Sequence, residues 1–583
     1  ERSKVLGDIV NSDPLFVGDE DFGYTSLTGT EGDSYPQYLR NKGDNPEMLY
    51  VGANDGMLHA FKVEVTDPVS VSDEEGVELF AYVPNAVISQ ELATLKDQSY
   101  THRYFVDGSP QSSDVFYDGD WHTVLISGTG AGSTTAVASS TSLATGIGGR
   151  GIFALDISKP TTFNQTNVLW EFTSRQDADL GYLLHRASIA RMNNGQWVAI
   201  VANGYNSTNG KAILFILDIK TGEVIKKIVA DNGTGNGLSG PTPVDADGDK
   251  IVDYIYAGDL KGNLWKFDVT STAPQVLNST AADQWKVAYS GSPLFVALDS
   301  VSARQPITVI PAVTKATDVT AGQTSGTMIY FGTGKYFESG DHSSTAQQTQ
   351  SFYGIWDQCD KSSATTCNGV VSGRSDLQVQ KITLETSRTF AGLNSTTITE
   401  DIRVTSNCDV SYGISGPTPT TTGTPCNSVV NRKGWFLDLI APGTGSTNKG
   451  ERVVSTPIIR NDSVIFPTLV PIDVVCQPSG TGWLMEMKLN GSRFGGSPID
   501  LNKDGTIDDD DLVLDADNVT KVAISGLKSK IGIIKTPAVI NCEDGLDCKY
   551  LTGSSVNLMD IKEKAPSGSG GGGGGTVNRR ISW

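Results

Sequence analysis

The chain has 583 residues, and 45 Lys plus Arg stand against 66 Asp plus Glu, a formal net charge of −21. That balance excludes nucleic acid and anionic membrane surfaces as main partners, because both reward basic patches, and no apolar run reaches the length of a membrane-spanning helix. At roughly 150 residues per domain the length allows about three or four domains or one large all-β domain with insertions, and 64 Gly beside abundant Ser and Thr favour the turn-rich second option.

Along the chain, strand-like runs recur in pairs. Met48–Gly52 leads into a Gly turn and then Leu58–Phe61. One short helix is expected over Ile88–Asp97, and little else reads as helix. Thr123–Gly128 precedes Gly151–Asp156, Val198–Ala202 precedes Leu214–Asp218, and Leu264–Asp268 and Met328–Gly332 follow. The unit is a hydrophobic strand, a Gly turn, an aromatic-aliphatic strand and usually an Asp. Repeated short-strand units of this kind predict a β-propeller, each blade burying its faces against its neighbours, and about seven blades are expected from a typical range of 4–8. A two-sheet sandwich is the alternative architecture.

The propeller is assigned to residues 1–565, with Ser/Thr- and Cys-rich insertions over 339–450. Residues 566–576 read as a Gly/Ser-rich flexible linker. Residues 577–583 form an apolar-aromatic tail, either a disordered terminus or a strand added to a partner. The start at Glu1 and the lack of a signal-like apolar region read as a fragment of a longer protein.

The seven cysteines all lie in the C-terminal part, without a C-x-x-C pair, so a zinc site is not expected. Their spacings suggest Cys359–Cys367, Cys408–Cys426 and Cys542–Cys548 as short loop staples, with Cys476 left over. Reduced thiols are the alternative; polar, turn-rich surroundings favour disulfides and hence an oxidising compartment.

The sharpest chemical signal runs from Asp245 to Asp253. Asp245, Asp247, Asp249 and Asp253 stand at loop positions 1, 3, 5 and 9, with the Ile251 carbonyl available at position 7. Calcium takes six to eight hard oxygen ligands, and a tightly wound loop converges alternate side chains on one point. Lys250 occupies the position where Gly usually sits, which strains the turn. The plain alternative is an acidic hairpin without an ion, but four converging carboxylates without a cation repel one another. A second loop, Asp500 to Asp511, follows the EF-hand or dockerin pattern: Asp500, Asn502, Asp504, the Thr506 carbonyl, Asp508, and Asp511 in place of the usual Glu. Its alternative is a solvated acidic turn. A short helix is expected to begin at Leu512–Leu514.

Catalytic constellations are poor. His59, His102, His122, His185 and His342 are scattered, and no H-E-x-x-H, nucleophile elbow or phosphate-binding loop occurs. Asp107-Gly108-Ser109 reads as a structural turn, and Gly146–Gly151 as a loop.

Several ordered pieces together resemble one family. They are Leu6-Gly7-Asp8-Ile9-Val10-Asn11-Ser12 with Pro14, the run Val51 through Phe61, the Gly-rich stretch Gly130 through Asp156, and the Asp245 loop continuing to Gly258 through Lys266. Gly332-Thr333-Gly334-Lys335-Tyr336 and the terminal Arg580-Ile581-Ser582-Trp583 complete the set. The chain resembles the C-terminal domain of PilY/PilC-type proteins, the calcium-dependent type IV pilus biogenesis factors and tip adhesins. The resemblance implies a modified β-propeller exported through the periplasm of a Gram-negative bacterium to the pilus tip on the outer cell surface. It implies one or two calcium ions, with Asp245, Asp247, Asp249 and Asp253 as the family's loop. It also implies minor pilins and the pilus tip complex as partners, a host surface receptor as a further one, and no enzymatic activity. In such a protein calcium occupancy opposes pilus retraction and release permits it, which governs twitching motility and adhesion.

Two other readings compete. Leu217–Glu223 and Ala154–Asp156 are similar to blade motifs of pyrroloquinoline-quinone dehydrogenases, yet no adjacent cysteines occur of the kind many of those enzymes use. A carbohydrate-binding lectin propeller would use aromatics such as Trp265 and Trp356, although blade aromatics more often belong to the core.

Overall fold

The computed structural model describes residues 6–63, 76–88, 90–132, 149–273, 284–316, 326–338, 340–343, 347–359, 369–408, 410, 432–443, 448–472, 480–542, 546–555 and 557–564. Seven sheets of three or more strands succeed one another along the chain, the seven blades of a β-propeller, as the strand pairs predict. The chain divides into two units, Glu1–Leu260 with Trp265–Gly291, and Lys261–Leu264 with Ser292–Ser582.

In the first unit the blades are antiparallel meanders. The first contains Leu15–Val17, Glu47–Ala53, Met57–Val63 and Glu78–Tyr82. The second contains Gln111–Tyr117, Asp120–Gly128, Gly151–Asp156 and Val168–Thr173, and the third Ser188–Arg191, Trp197–Ala202, Ala212–Asp218 and Val224–Asp231. The fourth begins with Thr242–Val244 and Tyr254–Gly258.

The inner strands are continuous apolar runs because a blade is covered on both faces. Side chains alternate with period two. Thus Trp197, Ala199 and Val201 join a core with the second blade, while Val198, Ile200 and Ala202 join a core with the fourth. The outer strand Val224–Asp231 is mostly half-buried or exposed and carries Lys226 and Lys227. Trp265 is 4% exposed and Trp356 is 3% exposed. Both are core residues, which removes them as a lectin surface.

In the second unit the fifth blade contains Ala312–Lys315, Thr327–Gly332, Ser351–Asp357, Gly434–Asp438 and Gln378–Gln380, the last pair parallel. The sixth is a six-stranded sheet that includes the long hairpin Ile382–Ala391 and Thr397–Thr405. The seventh contains Ala538–Asn541, Leu546–Thr552 and Leu558–Lys564. Cys542 and Cys548 form the expected disulfide. Cys359 and Cys408 are disulfide-bonded as well; Cys367, Cys426 and Cys476 lie outside the described residues, as do the linker 566–576 and the tail 577–583.

Two helical expectations are corrected. Ile88–Asp97 is not one helix but a series of short turns: Asn85–Val87, Gln90–Ala93 and Thr94–Lys96. The longest helix among the described residues, α1 at Thr30–Lys42, was not expected. It is a poor helix by propensity, with Gly32, Ser34 and Pro36 inside it. Tertiary contacts hold it. Tyr35 is fully buried and packs on Trp121, and Tyr24 stacks on Trp121 and meets Trp197 edge to face. Glu31 accepts from Arg191 at 2.6 Å and from the Trp197 indole at 3.2 Å.

Candidate metal centre

Asp245 to Asp253 joins strand Thr242–Val244 to strand Tyr254–Gly258, which pair antiparallel with Val244 opposite Tyr254. The loop winds by putting Gly248 at φ 86° and Lys250 at φ 68°. Gly adopts that left-handed region freely and Lys does so at a cost, so the strain expected at Lys250 is present. Asp245 organises the turn. Its Oδ1 accepts the N–H groups of Gly248 and Asp249, and its Oδ2 that of Lys250 at 2.9 Å. The far end is bolted to the third blade, because Val252 N–H donates to Arg191 and the Asn193 amide donates to the Val252 carbonyl at 2.8 Å.

This winding brings the carboxylates of Asp245, Asp247 and Asp253 together, with ligand oxygens within 4.8 Å of one another. Among the described residues no second trio of Asp, Glu, His or Cys comes so close. Asp245 and Asp253 are buried, at 8% and 0% exposure, while Asp247 is exposed and opens the group to solvent. Two unit charges ~5 Å apart repel by about 3 kcal/mol at an effective dielectric of ~20. Three such oxygens, two on buried residues, therefore fit a hard divalent cation, whose charge would neutralise them. Asp249, predicted as a fourth ligand, stands outside this trio; its Oδ1 accepts the Ile251 N–H at 2.9 Å.

The loop also reaches beyond its own blade. Lys250 Nζ donates to the Phe22 carbonyl at 3.0 Å, and Ile251 packs against the aromatic core that contains Tyr24, Tyr35, Trp121 and Trp197. Phe22 stacks on Tyr24. Sequence reasoning missed this link, because 228 positions separate the two ends of the hydrogen bond.

The second loop is arranged differently. Asp500 accepts the N–H groups of Asp504 and Gly505, and Asn502 Oδ1 also accepts that of Asp504. Asp504 accepts from Thr506 through both its N–H and its hydroxyl, and these bonds hold its carboxyl below the usual range. Asp511 is fully buried and acts as a clasp: Oδ1 accepts from Leu501 and Asn502, and Oδ2 from Asp508 N–H at 3.1 Å. Burial pushes its carboxyl above the usual carboxylate range despite those bonds. Asp508 caps the turn Asp509–Asp511, and a strand, Val513–Leu514, stands where a helix was expected.

The other polar features have structural partners. Asp107 accepts from the backbone and side chain of Asn11 at 3.0 and 2.6 Å, consistent with a turn. His122 bonds Asp156, and His102 bonds Asp8.

Residues 6–395 match the family model of the PilY1 beta-propeller domain. The chain is 36% identical over 502 residues to a type IV pilus biogenesis factor PilY1 homolog of Xylella fastidiosa, covering 82% of this chain and 29% of that protein. It is 35% identical over 526 residues to the type IV pilus biogenesis factor PilY1 of Pseudomonas aeruginosa, covering 87% of this chain and 41% of that one. The crystal structure of the Pseudomonas aeruginosa PilY1 C-terminal domain is similar with a TM-score of 0.67 and 31% identity, over 94% of this chain and 99% of that chain. The chain thus spans less than half the length of these curated relatives.

Proposed function

The chain belongs to the PilY1 β-propeller family, and we propose that it is the calcium-binding propeller of a type IV pilus biogenesis factor acting at the pilus tip. The observation that carries the calcium reading is the convergence of Asp245, Asp247 and Asp253 within a family whose relatives are named as biogenesis factors. Asp249 and the Ile251 carbonyl complete the proposed ligand set of the first site. Asp500, Asn502, Asp504, Thr506, Asp508 and Asp511 form the proposed second site. The role is non-catalytic, in pilus extension against retraction, twitching motility and surface adhesion. The proposed partners are minor pilins of the tip complex and a surface receptor on a host. Among the described residues no helix is long and apolar enough to cross a membrane.

The mechanism is local electrostatics with a wider readout. A bound calcium ion supplies positive charge that neutralises the trio. Without it, repulsion acts on a loop whose strained Lys250 holds Phe22 and whose Ile251 sits against the aromatic core. Loosening at that point reaches the Phe22–Tyr24 segment and α1, and with them any partner surface there.

The test uses the full-length protein in piliated cells. Asp247→Ala is expected to reduce surface pili when the retraction motor is present, with recovery when that motor is deleted. Unchanged piliation and twitching in the variant would remove the regulatory role.

A further inference from the structure

Residues 18–46 lie between strands Leu15–Val17 and Glu47–Ala53 of the first blade and contain α1. This insertion is a strap over the neighbouring blades of the first unit. On the second blade the Tyr24, Tyr35 and Tyr38 hydroxyls bond Ser113, Asp114 and Thr123 at 2.9, 2.8 and 2.7 Å, and the Trp121 indole donates to the Glu31 carbonyl at 3.1 Å. On the third, Arg191 and Trp197 donate to the Glu31 carboxylate. On the fourth, the strap meets the acidic loop itself: Lys250 Nζ donates to the Phe22 carbonyl at 3.0 Å, and Ile251 packs on the aromatic core. The fit is close there. A Cβ on Gly23, which stands at φ 76°, would lie 3.1 Å from Lys250 Nζ and 3.2 Å from its Cε.

Toward the second and third blades the strap is fixed through buried rings: Tyr24, Tyr35, Trp121 and Trp197. Toward the fourth, Asp21, Thr25 and Ser26 are exposed and Phe22 is half-buried. The lysine that holds this end has its own backbone in the left-handed region, at φ 68°. A member of the carboxylate trio sets that backbone, since Asp245 Oδ2 accepts the Lys250 N–H at 2.9 Å. A residue other than Gly keeps such a conformation only while its surroundings over-determine it.

We infer that Lys250 is a positioning residue that couples the acidic loop to the strap. With an ion on the trio, the winding about Asp245 keeps Lys250 on the Phe22 carbonyl; with the ion gone, residues 20–26 loosen. The inference rests on the calcium reading of this loop and adds the residue through which the site is read. Coupling between two sites is typically worth about 5–150-fold in an equilibrium.

The experiment is hydrogen–deuterium exchange of the whole chain with and without saturating calcium, read on peptides over residues 20–28 and 245–253, beside calorimetry for binding. In the parent, calcium is expected to slow exchange about fivefold or more in both regions. Lys250→Met keeps the apolar stem and removes the donor. It is expected to keep calcium binding and the slowing over 245–253 but to lose the slowing over 20–28, and Lys250→Arg, which restores a donor, is expected to recover it. A parent that binds no calcium overturns the calcium reading and this inference together. Calcium binding without a change over 20–28 in the parent, or a full response there in Lys250→Met, overturns the coupling alone. Should Lys250→Met fail to fold, the parent's response over 20–28 decides.

Discussion

His59 is nearly buried, with Nδ1 2.6 Å from Glu78 and Nε2 3.1 Å from Asp55. Burial by itself lowers its pKa, but the hydrogen bonds to Asp55 and Glu78 outweigh burial and the net shift is upward. The folded protein therefore holds this proton more tightly than the unfolded chain. The resulting stability is fully present below the ordinary value of 6.5 and is lost as pH rises through the higher folded value. His59→Gln is expected to flatten the fall in melting temperature above pH ~6.5; a pH profile that overlays the parent's would contradict this assignment. At the same scale, the convergence of Asp245, Asp247 and Asp253 was legible because alternate side chains of a tightly wound loop point to one side. The turning of Asp249 to the Ile251 N–H was not, because a short carboxylate can serve its own backbone as readily as an ion, and spacing does not decide between them.

At the scale of elements, the inner strands were legible and α1 was not. A strand covered on both faces leaves an uninterrupted apolar run in the sequence, as in Trp197–Ala202. The run Thr30–Lys42 instead contains helix breakers, and its apolar cue reduces to Tyr35, Tyr38 and Leu39 at helical spacing. What fixes it is a buried ion pair: Lys42 Nζ lies 3.1 Å from both oxygens of Asp114, which is fully buried and also accepts from the Tyr35 and Thr123 hydroxyls. Burial raises the Asp114 pKa, and the Lys42 charge opposes that shift. Lys42→Ala strands a buried carboxylate, a change that costs about 3 kcal/mol or more. Chemical denaturation is expected to show a loss of that order, and a loss under about 1 kcal/mol would mean that the hydroxyl partners suffice.

At the scale of the whole molecule, the seven-blade organisation was legible from repeated strand pairs, since each blade repeats one supersecondary unit. The insertions over 339–450 were less so, because part of that stretch builds real blade strands: Ser351–Asp357, Gln378–Gln380 and the hairpin Ile382–Thr405. The family match ends at residue 395, inside that hairpin, while the structural likeness continues over most of the chain. The link from Lys250 to Phe22 was invisible in the sequence for a simple reason: it joins segments 228 positions apart that only the folded first unit brings together.

Calcium titration calorimetry on the chelated protein, beside Asp247→Ala and Asp504→Ala, reads the metal centre itself. Asp247 is the exposed member of the trio, so its removal spares the two buried carboxylates. Calcium is expected to bind the parent protein, and Asp247→Ala to remove one binding event while Asp504→Ala leaves that event in place. Dissociation constants of ~10⁻⁴–10⁻³ M would suit an extracellular module that responds to ambient calcium. No binding by the parent protein, or full binding by Asp247→Ala, would contradict the metal centre and the switch built on it.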